Sequence, residues 1–310
     1  MKKKGIFFTF IAITLTAVVI LSFIIHTQYR LRNKMFVIET RIDTLNDFIQ
    51  DTETDLERGL YIAAFRAILS LEQYITTEGV FLNNTELNFK EIILYGTINN
   101  TAIDIMQGAT FPDWAERIQE EADKIDITIN FLINDITLNQ TNPWYVDVNS
   151  NISMNVTDKK QTASWEKNRK ITTSINIENF EDPLYVINSY GRVTNKIKRT
   201  NATDFGDVNQ LKTHLENSYY IASTSGPSFL MRLEGKLSSS PYGIESLVNV
   251  REFTAEEVPV VADSHVDYIY FDEGTVENCL VNETALDPYY YWFRLDNQHL
   301  GTYEATCFSQ

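Results

Sequence analysis

From Gly5 to Ile25 the chain runs 21 residues without a charge, rich in Ile, Phe, Leu, Val and Ala. A helix of about 20 apolar residues crosses the hydrocarbon core of a bilayer. The stretch is therefore read as a transmembrane span and everything beyond it as a body held at a membrane. A cleaved signal peptide has a shorter apolar run, roughly 7–15 residues, ending at a small-x-small site. The exit sequence Phe23-Ile24-Ile25-His26-Thr27-Gln28 offers no such site. The expectation is an uncleaved anchor with a leader over 1–5, a transmembrane helix over 6–28, a stalk helix over 29–78 and a head over 79–310. A division of the head near 201–206 is the candidate internal boundary.

With 44% hydrophobic and 12% aromatic content, the 310-residue chain can bury a substantial core once the anchor is set aside. The six basic residues Lys2, Lys3, Lys4, Arg30, Arg32 and Lys34 are the only charges among the first 34. The other 20 of the 26 basic residues are set against all 42 acidic ones, a balance of −22. So acidic a surface repels phosphate backbones, which excludes nucleic acid as a partner. Basic residues flank the span on both sides, so charge counting alone does not orient it. Cys279 and Cys307, the only two cysteines, lie in the last 32 residues and are read as a disulfide of an oxidising compartment. That places the N-terminus in the cytoplasm and the C-terminal domain outside the cell, in a single-pass protein of the cell membrane. Asn-x-Ser/Thr triplets at Asn83, Asn99, Asn139, Asn151, Asn155, Asn201 and Asn282 are candidate glycosylation sites. Seven is a mild excess over the about four that composition alone predicts.

The opening MKKKGIFFTFIAITLTAVVILSF joins a short Lys-rich leader, one glycine and an unbroken apolar helix. In this it resembles the type IV pilin-like proteins, including archaeal ones and pseudopilins. The resemblance covers the N-terminal region only. It implies cleavage after Gly5 by a membrane peptidase, leaving Ile6 as the new N-terminus, and packing of the helix against other pilin-like subunits or a second copy. The fifth mature position, usually Glu in that family, is Phe10 here.

After the span, apolar residues recur at Leu31, Met35, Ile38, Ile42, Leu45 and Ile49, then at Leu56, Leu60, Ala63, Ala67, Leu71 and Tyr74. Steps of three and four mark one face of a helix. No proline interrupts it from Gly5 to Thr77. Anchor and stalk together would make a rod on the order of 110 Å at 1.5 Å per residue, with Gly59 and the polar run Gln50–Asp55 as the expected kink. The narrow stripe over Leu31–Ile49 has the look of a coiled-coil seam; the wider one over Gly59–Ile75 suits packing on the chain's own head. Two further helices are expected at Glu86–Leu94 and Pro112–Lys124. From Asp126 the period changes to two, and strands are expected at Ile127–Leu138, Trp144–Val148, Ile152–Val156, Ile171–Ile177, Leu184–Ile187, Ser228–Leu233 and Val258–Phe271. A helix over Val208–Tyr219 and a short one over Gly243–Val250 interrupt them, and Tyr289–Phe293 leads to a last strand. The fold class is α+β: a long transmembrane-plus-stalk helix, then an extracytoplasmic, largely antiparallel β head with short helices.

No catalytic or metal-binding constellation emerges, and no cofactor is expected. His26, His214, His265 and His299 show no His-x-x-x-His pairing. His265-Val266-Asp267 would share one face of a strand. The hydroxyls of Ser223–Ser228 lack a Gly-x-Ser-x-Gly frame and read as turns. Tyr290 and Trp292 would share a face as a possible stacking platform for a ligand. The function expected is that of a non-enzymatic, membrane-anchored surface protein of pilin-like class, acting by helix-mediated assembly and outward presentation of an acidic head. The alternative is a tethered receptor or adhesin-type ectodomain that binds a ligand or glycan.

Overall fold

A computed structural model describes residues 3–160 (side chains from residue 7), 163–281 and 290–308. Two compact units share them. One takes the chain up to Leu56 with Ile118–Asn130 and Met154–Lys167; the other takes Glu57–Arg117, Phe131–Ser153 and the chain from Asn168. Residues 201–206 lie inside the second. The elements in order are α1 (Lys3–Glu78), α2 (Thr85–Tyr95), β1 (Thr97–Ile98), β2 (Thr101–Ala102), α3 (Phe111–Asp123), β3 (Ile127–Asn142), β4 (Tyr145–Asp158) and β5 (Ser164–Asn176). There follow α4 (Pro183–Asn188), α5 (Val208–Glu216), β6 (Tyr220–Ala222), α6 (Phe229–Leu233), β7 (Ile244–Ser246), α7 (Val250–Ala255), α8 (Asp267–Tyr270), β8 (Asn278–Leu280) and β9 (Arg294–Asp296). The strands form one sheet of order β3-β4-β5 and three antiparallel pairs, β1-β2, β6-β7 and β8-β9. The chain is thus a long apolar helix followed by a mixed α/β body with short helices and small antiparallel sheets.

In the first unit, α1 buries Leu45, Ile49 and Leu56, as do α3 with Ala122, β3 with Ile127 and Ile129, and β4 with Met154 and Val156. Polar pins complete it. Arg41 reaches Asp158 Oδ1 through Nη2 at 2.8 Å and through Nε at 3.2 Å, and donates to the carbonyl of Asp126 at 2.9 Å. Lys167 pairs with Glu53 at 2.5 Å.

In the second unit, α1 continues as helix through Gly59. The glycine is there for close approach: a Cβ would sit 2.6 Å from Trp114 Nε1. Beyond it Leu60, Ala63, Ala64, Ala67, Ile68, Leu71 and Ile75 are buried. Helices α2 and α3 start where capping chemistry places them. Asn84 accepts from the Leu87 amide and Gly96, at φ +68°, ends α2. Thr110 and Asp113 bond reciprocally at the head of α3, the Thr110 amide donating to the carboxylate at 2.9 Å and the Asp113 amide to the hydroxyl at 3.2 Å.

The three-stranded sheet departs from expectation in length. Two expected strands, Trp144–Val148 and Ile152–Val156, are one strand, β4, in which Val146, Val148, Ser150, Ile152, Met154, Val156 and Asp158 face inward without a break in alternation. After β5 the departures are of type. Leu184–Ile187 is helix α4, because Pro183 occupies the first turn and the Asp182 carboxylate caps the Leu184 amide at 2.9 Å. Ser228–Leu233 contains helix α6 and Val258–Phe271 contains helix α8, where strands were expected. Short apolar runs do not distinguish a strand from a buried helical turn. Gly243–Val250, expected as helix, holds β7, which pairs with β6 in the register Tyr220↔Ser246. Gly243 there touches the Gly226 carbonyl so closely that a Cβ would lie 2.0 Å from it.

These short elements meet at one buried cation. Arg232 is 0% exposed. Its Nη1 donates to Asp182 at 2.5 Å and to Asp267 at 2.9 Å, and its Nη2 to the Ile244 carbonyl. Tyr220 Oη donates to Asp182 at 2.8 Å, and Ser246 Oγ to Asp267 at 2.8 Å. Burial opposes the guanidinium charge, but the two aspartates outweigh it and raise the Arg232 pKa above its ordinary value. Replacing Arg232 with Met leaves two buried carboxylates without a counter-charge. The expected loss is about 3–5 kcal/mol, seen as a fall in the urea midpoint of the full chain in detergent micelles. Lys170→Met, at an exposed position, is expected to stay within about 0.5 kcal/mol of the parent.

Candidate functional site

Two features stand out, one on α1 and one in the second unit. Along α1 the side chains of Phe7, Val18 and Phe23 are 65%, 66% and 69% exposed, and none of the most apolar 18-residue window is buried. Leu31, Met35, Phe36, Val37 and Ile38 are exposed as well. A helix that is apolar all round needs an apolar surround. Three of its hydroxyls find partners within the helix: Thr14, Thr16 and Thr27 donate to the carbonyls of Phe10, Ala12 and Phe23 at 3.1, 2.8 and 2.8 Å. Such back-bonding satisfies polar groups where no water is at hand. The helix is thus a candidate membrane span by length and composition. The residues Gly5 and Ile6 fall within α1, ahead of the described side chains.

The second feature surrounds His299. Its Nδ1 lies 2.7 Å from Asp296 Oδ2, and its Nε2 lies 3.0 Å from Tyr268 Oη and 3.4 Å from Glu245 Oε2. Tyr303 Oη donates to the other Glu245 oxygen at 3.0 Å, and Ser264 Oγ donates to Asp296 at 2.8 Å. Burial works against the His299 charge, yet the bonds to Asp296 and Glu245 prevail and lift its pKa to about 9. The Asp296 carboxyl is held at about 2 by His299 and Ser264 in spite of its own burial. A fixed imidazolium between two carboxylates therefore stands behind Tyr268. On the solvent side of Tyr268 and Asp296 lies a cleft of about 670 Å³, walled by Thr224, Ser225, Ser239, Glu277, Asn297 and Gln298.

The sequence singles out His265 and Asp267 only as a pair that would share a strand face, and gives His299 no partner. His265 is buried, takes the Arg294 amide on Nδ1 at 2.8 Å, and is held down at about 4 by that burial. Asp267 belongs to the Arg232 cluster. The two do not share a strand face, since a helix begins at Asp267. His214 is fully buried between Phe205 and Tyr303, with neither ring nitrogen hydrogen-bonded among the described residues, and burial lowers it to about 4. The spacing Asp296-x-x-His299 was the one local signal for the real cluster; Glu245 and Tyr268 come from elsewhere in the chain.

Tyr290 and Trp292 do not form an open platform. Tyr290 is 6% exposed and donates its hydroxyl to Glu216, while Trp292 is half-buried and packs on His265 at 5.2 Å between centroids. The segment is a turn at this point, so strand alternation does not apply. Cys279 and Cys307 are bonded, with Cα atoms 5.6 Å apart. Closing a loop of that size contributes about 3–4 kcal/mol. Asn83, Asn99, Asn139, Asn155 and Asn201 are exposed and Asn151 is half-buried; Asn282 lies outside the described residues. Among the described residues no group of three or more His, Cys, Asp or Glu side chains is arranged to hold a metal ion.

Comparison with family models, with curated proteins and with solved structures returned no match to this chain.

The titrating groups fix the shape of the stability profile. His214 and His265, lowered by burial, stay neutral in the fold, so stability is lost as pH falls from 6.5 towards about 4. His299, raised, contributes fully below 6.5 and loses its contribution as pH rises towards about 9. Glu72, raised by burial to about 7, loses stability over 4.5 to 7 but is one proton against two on the acid side. The thermal midpoint of the full chain is expected to peak near pH 6.5. In His299→Gln the decline between 6.5 and 9 is expected to flatten, as measured by differential scanning fluorimetry.

Proposed function

We propose that this chain is a membrane-anchored surface protein of the pilin-like class, held by α1 and presenting its folded body on the outer side. The observation that carries the reading is the exposure of α1. From Phe7 to Ile38 its apolar side chains are open on every side, whereas from Leu45 onward one face is covered. The span over 6–28 has the properties of a lipid-facing segment, and Arg30, Arg32 and Lys34 follow at a height suited to headgroups. The Cys279–Cys307 bond and the acidic balance of the body support an oxidising, extracellular side. Cleavage after Gly5 and lateral packing of the helix with like subunits follow from the pilin-like reading of the opening residues. The exposed Asn83, Asn99, Asn139, Asn155 and Asn201 are then open to glycosylation.

A second reading, a tethered ectodomain that captures a ligand, rests on a separate observation, the polar cleft beside Tyr268. The two readings are compatible, since an anchored subunit can carry a binding head.

Carbonate extraction of native membranes should leave the protein in the pellet, and mass spectrometry of its N-terminal peptide should begin at Ile6. An N-terminus that retains Lys4-Gly5 would reduce the assignment to a plain anchor, and recovery in the soluble fraction with both thiols free would remove it. A charge at mid-span tests the lipid contact directly. Val18→Arg is expected to add about 2.5–3.5 kcal/mol to insertion and to shift a measurable share of the protein out of the carbonate-resistant pellet.

A further inference from the structure

The cleft beside Tyr268 is built differently from the apolar grooves of the chain. Its walls carry hydroxyls from Thr224, Ser225 and Ser239, amides from Asn297 and Gln298 and the carboxylate of Glu277, beside the apolar side chains of Ile269 and Val276, and no lysine or arginine among the described residues. At about 670 Å³ it falls within the roughly 300–1,000 Å³ of small-molecule sites.

Both walls are fixed. On one side β8 and β9 pair in the register Asn278↔Asp296, which sets Glu277 and Asn297 side by side at the strand ends. The disulfide at Cys279 ties that strand to the C-terminal segment, where Val281 bridges to Cys307. Asp296 shapes the turn that follows, accepting the Gln298 amide at 3.0 Å while His299 and Ser264 hold its carboxylate. On the other side Thr224 and Ser225 follow β6, and Gly226 lies so close to the Ile244 carbonyl that a Cβ would stand 2.6 Å from it. The Tyr268 ring, locked through His299, lies between the walls. Preorganised polar groups lose little freedom on binding.

The chemistry of the lining selects the ligand class. An anion is opposed by Glu277 and by the net charge of −16. A divalent cation lacks a ligand set among the described residues. An apolar molecule would be met only by Tyr268, Ile269 and Val276, and would leave every hydroxyl and amide it covers without a partner. A neutral polyhydroxylated molecule both donates to and accepts from the polar groups, and can lay its apolar ring face on Tyr268, Ile269 and Val276.

We infer that the cleft bounded by Ser225, Tyr268, Glu277, Asn297 and Gln298 is a binding site for an uncharged saccharide. The inference names the ligand class of the ectodomain reading and rests on it, but not on the anchor or on assembly.

The test uses the full chain purified in a non-glycosidic detergent. Maltose, cellobiose, chitobiose and mannobiose are titrated by isothermal calorimetry and saturation-transfer NMR, with sialyllactose as the anionic probe. At least one neutral disaccharide is expected to bind in the range of about 10 μM to 1 mM, roughly 4–7 kcal/mol. Sialyllactose is expected to bind at least about tenfold more weakly than that disaccharide. Asn297→Ala and Ser225→Ala alter exposed groups; each is expected to weaken binding about tenfold, or 1.4 kcal/mol, with the thermal midpoint unchanged. The assignment is overturned if none of the four sugars binds at 10 mM, on the order of the weakest affinities such sites show. It is equally overturned if sialyllactose binds as well as the best neutral sugar, or if both variants bind as the parent does. Those outcomes leave carbonate extraction and N-terminal mapping untouched, so loss of the saccharide site and loss of the surface-protein reading are told apart.

Discussion

A guanidinium cannot sit in an apolar interior alone, and Arg232 sits in one with no exposure at all. Its partners are Asp182 ahead of α4, the Ile244 carbonyl on β7 and Asp267 at the start of α8, and the two aspartates are bonded in turn by Tyr220 on β6 and Ser246 on β7. None of these elements is long enough to be stable by itself; β6 and β7 have three residues each and α8 four. The shared need to neutralise one charge and satisfy its donors gives them a common register. A core made only of Leu211, Leu215, Leu247, Phe293 and Leu295 would exclude water as well, but it would tolerate sliding. Directed hydrogen bonds do not.

The same economy recurs around His299. A cationic ring is held between Asp296 and Glu245, and each carboxylate has a further donor of its own, Ser264 for the first and Tyr303 for the second. The ring anchors the end of β9 and, through Tyr268, the floor of the cleft. Buried polarity in this unit therefore does two things. Around Arg232 it aligns the short elements; around His299 it stiffens a surface open to solvent.

Helix α1 answers to different solvents along its length. Up to Ile38 it offers apolar side chains in every direction and bonds its own threonines; at Arg41 it begins to make specific polar contacts, and at Leu45 it starts to bury a face. A continuous backbone hydrogen-bond ladder suits both, because it leaves no peptide group in need of an outside partner in either setting. Gly59 marks the place where packing, and not flexibility, dictates the residue: Trp114 occupies the space a side chain would take.

Much of this was legible in the residue order. The apolar span, the stripe that carries α1 to Glu78, the Asn84 and Gly96 caps, the β3–β5 alternation and the pairing of two lone cysteines depend on interactions between near neighbours or on simple counting. The chain could not declare that Leu184–Ile187, Phe229–Leu233 and Asp267–Tyr270 are helical turns. Four or five mostly apolar residues satisfy either geometry until their neighbours are known; at α4 the deciding Asp182-Pro183 cap is local, whereas Arg232 and Asp267 in α6 and α8 act through contacts 35 to 50 residues apart. Sequence by itself thus determined the apolar candidate span, the long helix and the pairing of the two cysteines, because those follow from periodicity, composition and counting. Only tertiary structure decided that His299 and not His265 carries a charge, that Tyr290 is sealed while Tyr268 borders a cleft, and which polar groups face one another there, because burial and through-space pairing are properties of the folded chain alone.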